Sequence, residues 1–133
     1  MIIDTSALVA ILRAEPDRHR YAEAIEMSPV RRISAANYLE ASIVIEGDRN
    51  PVSKRRFDDL IAKAGIEIVP VTEKHARIAR EAYRDYGRGS GHRAKLNYGD
   101  CFSYALAKES GEPLLFKGND FAETDIHPAI PSN

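Results

Sequence analysis

The chain has 133 residues and a formal net charge of −1. One domain over residues 1–133 is expected, and a broadly basic nucleic-acid binder is excluded, so any hold on a polyanion must come from a local patch. A hydrophobic content of 44% beside 29% charged residues fits a globule that buries its own core and not a disordered chain. The single cysteine, Cys101, excludes an internal disulfide and a thiolate zinc site and suits a reducing, cytoplasmic setting. A leader is not expected ahead of the first apolar segment, and no apolar run is long enough to span a membrane.

The first element is Ile2-Ile3, an apolar pair that stops at Asp4 and reads as a buried strand ending at an acid. Thr5 to Arg13 carries Ala7, Leu8, Ile11 and Leu12 at helical spacing. Glu15-Pro16 breaks that helix, and Pro16 suits the first turn of a second one ending near Met27. Val30 to Ile33 predicts a strand, and Ser34 is a good N-cap for a helix from Ala35 to Glu46. That helix is apolar nearly all round, so it is expected to be buried, Glu40 with it. A helix over Val52–Ala64 follows, with Phe57, Leu60 and Ile61 inward and Gly65 as its stop.

Ile66 to Val71 predicts the third strand, and Thr72 caps a helix from Glu73 to Tyr86. Tyr86 to Lys95 reads as a mobile, glycine-rich basic loop. Its glycines follow a helix rather than a strand and precede no Gly-Lys-Ser/Thr, so they are not a nucleotide fingerprint. Asn97 starts a helix that ends at Gly111, and Pro113 to Phe116 is the last strand. Short apolar strands separated by helices predict an α/β fold with a short, mostly parallel central sheet covered on both faces.

Four acids stand where such a sheet gathers its chemistry, past the carboxyl ends of strands or at helix starts: Asp4, Glu40, Asp100 and Asp120. Each has a plain structural reading. Asp4 suits a helix cap, Glu40 a buried pair with an arginine, Asp100 a capping box with Asn97, and Asp120 an Asx-turn. Asp125 competes with Asp120 for the fourth place. Asn37, one turn before Glu40, is spaced to hydrogen-bond it, and Ser6 to position Asp4 or a water. Taken together, carboxylates gathered at one edge cannot all stay ionised without a cation. An all-oxygen set selects a hard ion, magnesium or manganese, over zinc. His19, His75, His92 and His127 show no zinc spacing.

Two further surfaces are legible. Between Arg84 and Lys95, the cations Arg84, Arg88, Arg93 and Lys95 face one anion, Asp85, so this segment is a candidate for holding RNA, with Tyr98 beside it as a stacking surface or a core residue. The stripe Ile78, Ala79, Ala82 and Tyr83 exceeds what a small sheet needs and predicts a two-fold homodimer.

The stretches Met1-Ile2-Ile3-Asp4-Thr5-Ser6-Ala7-Leu8, Tyr38-Leu39-Glu40-Ala41, Leu96-Asn97-Tyr98-Gly99-Asp100-Cys101 and Leu114 to Phe121 together resemble the PIN domain, most closely the VapC toxins of prokaryotic toxin–antitoxin pairs. The likeness covers essentially the whole chain. It implies a PIN-like three-layer fold and a magnesium-dependent endoribonuclease with Asp4, Glu40, Asp100 and Asp120 as its acidic quartet. Asp4 and Asp100 would hold the metal. It also implies a homodimer and a cognate VapB-like antitoxin. A haloacid-dehalogenase-type phosphatase needs a second acid where Ser6 stands, and a receiver domain needs paired acids that are missing. The alternative is a PIN-like domain that binds RNA or protein without cutting.

Overall fold

The computed structural model describes residues 1–131, so Ser132 and Asn133, the last residues of the expected domain, lie outside the described residues. In chain order the elements are β1 (Ile2–Ile3), α1 (Thr5–Leu12), α2 (Arg18–Met27), β2 (Arg32–Ser34), α3 (Ala35–Gly47), α4 (Pro51–Lys63), β3 (Glu67–Val69), α5 (Glu73–Tyr86), α6 (Tyr98–Ser110) and β4 (Leu114–Leu115). The strands form one sheet in the order β3-β2-β1-β4, and every pairing is parallel. Ile2 lies opposite Arg32 on one side and Leu114 on the other.

Parallel strands buried on both faces are apolar throughout, and here consecutive side chains divide between two cores. Ile3, Ile33 and Leu115 pack with Leu8, Tyr21, Ala41 and Phe57 of the first four helices. Ile2 and Leu114 pack with Ala79, Ala82, Ala105 and Leu106 of α5 and α6. The result is the three-layer α/β architecture. The chain steps from β1 out to β2 and β3, then returns to place β4 on the far side of β1. A crevice opens at such a reversal, beyond the carboxyl ends of β1 and β4.

Helix ends follow the capping residues. Ser34 caps α3, Asn50 caps α4 with Pro51 at its first turn, Thr72 caps α5 and Asn97 caps α6. Gly111 ends α6 at φ +68°, a left-handed conformation that glycine adopts without steric cost. Among the described residues no helix is long and apolar enough to cross a membrane.

Three expectations are corrected. The second helix begins at Arg18, with Pro16 ahead of it, because the turn is pinned from outside: Lys117 Nζ binds the carboxylates of Glu15 and Asp17. The third helix is not buried all round. Asn37, Ala41 and Ile45 face inward, while Leu39 and Ile43 are 58% and 62% exposed, since the sheet is too short to be covered by more than one face of α3. The α5 stripe is mostly consumed within the chain, because Ala79 and Ala82 are buried in the core shared with α6.

Leu115 is fully buried at the centre of the larger core. Leu115→Ala is expected to destabilise the fold by about 2–5 kcal/mol, the range for losing a packed leucine and leaving a cavity. Denaturant titration of both proteins checks this through the midpoint, with the slope unchanged.

Candidate active site

Asp4 leaves β1 in an extended conformation and caps α1, with only 3% of its surface exposed. Three donors hold it. The Ser6 backbone N–H and hydroxyl donate to Oδ2 at 3.0 and 2.7 Å, and the Ser103 hydroxyl donates to Oδ1 at 2.5 Å. Ser6 Oγ in turn accepts the Lys117 N–H at 2.9 Å, which joins the ends of β1 and β4. Burial pushes the Asp4 carboxyl above its ordinary value despite these donors, and the charge of Glu40 adds to the rise.

Glu40 reaches the same edge from α3. The Thr5 hydroxyl donates to its Oε1 at 2.5 Å and lies 3.1 Å from the Asn37 carbonyl. Asn37 Nδ2 sits 3.4 Å from Glu40 Oε1 and donates to the Gly99 carbonyl at 2.9 Å. Among the described residues no lysine or arginine pairs with Glu40, so the arginine-pair reading does not hold. Asn37 is fully buried and its Oδ1 has no hydrogen-bond partner there. Gly99 is the close approach that seats Glu40: a Cβ at this position would lie 2.2 Å from Oε2.

Asp100 belongs to a capping box at the start of α6. Its N–H donates to Asn97 Oδ1 at 2.9 Å, and its Oδ2 accepts the Asn97 N–H at 3.0 Å. Capping alone would lower its pKa. The carboxyl is instead pushed up to about 7, first by burial, then by the charges of Asp4 and Asp120 and a hydrogen bond to Asp120. Structural and functional readings therefore coincide in one residue. Asp120, exposed in the turn after β4, lies near enough to Asp100 to act on its carboxyl by charge and a hydrogen bond. Asp125 is engaged elsewhere: it accepts the Tyr104 hydroxyl at 2.7 Å and pairs with Lys108 at 2.9 Å.

No basic side chain is among the principal influences on Asp4 or Asp100. Nor do three His, Cys, Asp or Glu side chains close on one point among the described residues. Two carboxylates with the remaining positions filled by water is a normal magnesium arrangement, and the oxygen-only donor set fits it. The orphaned Asn37 Oδ1 adds an unspent oxygen close to the acids. Burial, then the charge of Asp100, push the Cys101 thiol up to about 11, which removes it as a nucleophile at neutral pH.

Sequence reasoning missed Thr5, Gly99 and Ser103. Ser103 carried a usable signal, since it lies three residues after Asp100 and so on the same helical face. Thr5 carried none, because its contact depends on how α1 meets α3. In the basic segment, Arg84 pairs with Asp85 at 2.9 Å and Arg93 with Glu123 at 3.0 Å. Arg88 and Lys95 make no ion pair among the described residues. Tyr98 is 78% exposed and is not a core residue.

A parallel sheet with this reversal sets Asp4 and Asp100 at the crevice where such folds bind their ligands. Residues 1–126 match the family model described as the PIN domain, and the chain belongs to the PIN-domain family. Within that family it is one of the VapC ribonucleases: it is 56% identical to Ribonuclease VapC28 of Mycobacterium tuberculosis over 130 residues, 98% of each chain. Among solved structures, Mycobacterium tuberculosis VapC20, described as a sarcin-ricin-loop-cleaving toxin, matches with a TM-score of 0.70 at 16% identity, covering 96% of this chain and 98% of the other. A toxin–antitoxin complex from Klebsiella pneumoniae matches with a TM-score of 0.68 at 21% identity, covering 93% and 92%. At these identities the structures speak to the fold.

Two outcomes follow from the geometry. Gly99→Ala drives a methyl into Glu40, so activity is expected to fall at least tenfold while circular dichroism and the unfolding slope stay native; unchanged activity would show that Glu40 has no need of its seat. Asp100 titrates near 7 in the folded protein against an ordinary 3.8. The folded state therefore holds a proton that the unfolded chain has released. The stability linked to that proton is full below about pH 4 and is lost as pH rises through about 7. Melting temperatures of the metal-free protein should fall across this window, and Asp100→Asn should flatten the fall.

Proposed function

We propose that this VapC ribonuclease is the toxin of a toxin–antitoxin pair, an endoribonuclease that hydrolyses RNA with a divalent cation, magnesium foremost and manganese as substitute, held by Asp4 and Asp100. Its single PIN domain is read as spanning residues 1–133. What supports the proposal is the placement of Asp4 after β1 and Asp100 at the start of α6, close enough for the charge of Asp4 to raise the Asp100 carboxyl, with no basic side chain among the principal influences on either. Carboxylates so placed are poorly compensated until a cation joins them. When bound, such an ion polarises a phosphate oxygen and lowers the pKa of a water.

The side chains have distinct work. Ser6 and Ser103 fix the Asp4 carboxylate in one orientation, so little reorganisation is needed. Glu40 spends Oε1 on Thr5, which leaves Oε2 to orient the attacking water and take its proton. Asp120, at the solvent rim, assists. Arg88 and Lys95 hold RNA phosphates, and Arg93 joins them only by leaving Glu123.

The partner is a VapB-like antitoxin, a reading supported by the toxin–antitoxin complex among the structural matches. A cationic side chain from it, arginine above all, would satisfy the carboxylates in place of a metal. A second copy of the chain docks through α3, where Leu39 and Ile43 stand exposed. The cytoplasm, where RNA and reducing conditions coincide, is the expected location.

Asp4→Asn tests the whole. Total RNA should be cut with magnesium, spared with EDTA, and cut orders of magnitude more slowly by the variant. In metal-free Asp4→Asn the relief of one like charge offsets the loss of an acceptor for Ser6 or Ser103, so its melting temperature should stay within a few degrees of the parent's. Magnesium should raise the parent's melting temperature and the variant's much less. A destabilised variant that still cuts RNA would sink the assignment.

A further inference from the structure

The acids repel the polyanion they are meant to receive, so something must draw an RNA strand to them. We infer that a ridge of arginines on α5, formed by Arg77, Arg80 and Arg84 and continued by Arg88, is the track that holds the substrate's phosphate backbone on its way to the acids. The inference rests on the ribonuclease reading above and moves the main RNA contact from the glycine-rich segment to the preceding helix.

Arg77, Arg80 and Arg84 are spaced three and four residues apart, so they share one face of α5 over roughly 10 Å. A cleft of about 580 Å³ is lined by these arginines and Glu81. A second cleft, of about 740 Å³, lies between α5 and α6 and is lined by Arg80, Tyr83, Arg88, Asn97 and Tyr98 among others. Arg80 lines both, so the two clefts are neighbours on either side of its side chain. The second cleft is also lined by Asn97, the residue that caps α6 and is bonded to Asp100. The ridge thus borders the start of α6, where Asp100 stands.

Its charges are available. Among the described residues Arg80 and Arg88 make no ion pair. Arg77 pairs with Glu73 at 3.2 Å and Arg84 with Asp85 at 2.9 Å, but the two arginine side chains are 75% and 70% exposed. Surface pairs of that kind are weak and exchange readily for a phosphate. At the acidic end Tyr98 stands in water, edge-on to Phe102 with ring centroids 5.0 Å apart. It offers a base a stacking face where the backbone must turn toward the acids. RNA, the substrate of the proposed activity, supplies phosphates for the ridge and a base for the ring at once.

The test separates binding from cutting. Binding of a fluorescein-labelled 12-nucleotide single-stranded RNA is measured in EDTA at several salt concentrations, for the parent, for Arg77→Gln, Arg80→Gln and Arg88→Gln, and for the triple variant. Each lost phosphate contact should reduce the salt slope by about 0.7, and the triple by about 2. Affinity at low salt should fall several-fold per substitution, and Arg80→Lys should restore most of it. In magnesium the same variants should raise KM and leave kcat within about twofold. Lys63→Gln, on α4 away from the ridge, should change neither.

Unchanged slopes and KM, or no binding of RNA by the parent, would overturn the ridge. So would variants that lose only self-association in light scattering or only antitoxin affinity. If the parent binds with the expected slope yet cuts no RNA in magnesium or manganese, the ribonuclease reading fails while the ridge stands.

Discussion

The carboxylate of Asp4 is the group around which the rest is arranged. It lies in the interior at the end of β1, where a charge is costly, and three donors from Ser6 and Ser103 hold it there. Those donors come from the first turn of α1 and from the middle of α6, and Ser6 also receives the Lys117 N–H beyond β4. One ion therefore ties together the edge strand, the central strand and helices from both layers. The donors do not suffice to return its pKa to the ordinary range. The fold thus carries an electrostatic demand at its crevice that its own donors do not meet.

Much of this arrangement was legible before any coordinates. Apolar pairs ending at acids marked β1, and the Asn97–Asp100 spacing marked a capping box that the structure contains. Capping residues are local signals, dictated by the backbone groups left open at helix ends, so they survive translation from sequence to structure. The acids could be named because strand ends and helix starts in a parallel sheet share one edge.

What was not legible depended on contacts between distant segments. The composition of α3 suggested burial all round, but composition says nothing of how much sheet is available to cover it, and Leu39 and Ile43 remain outside. Asn37, one turn away, does donate to Glu40 at 3.4 Å, as its spacing predicts, but the shorter bond comes from Thr5 on another helix, which spacing does not carry. The burial of Ala79 and Ala82 on α5 depends on α6 lying against them, a contact that spacing within α5 does not carry. The basic segment was counted by sequence proximity, while Arg93 finds its anion thirty residues on, in Glu123.

The glycine-rich segment between α5 and α6 has its ends fastened. Leu96 N–H donates to the Tyr86 carbonyl and Arg88 N–H to the Leu96 carbonyl, each at 2.9 Å. A loop closed at its neck can change in length with little entropic consequence, and what happens at its tip is not transmitted to the helices it joins. Insertions and exchanges there leave Asn97 and Asp100 where they are. The neck thus insulates the start of α6 from whatever length or composition the loop takes.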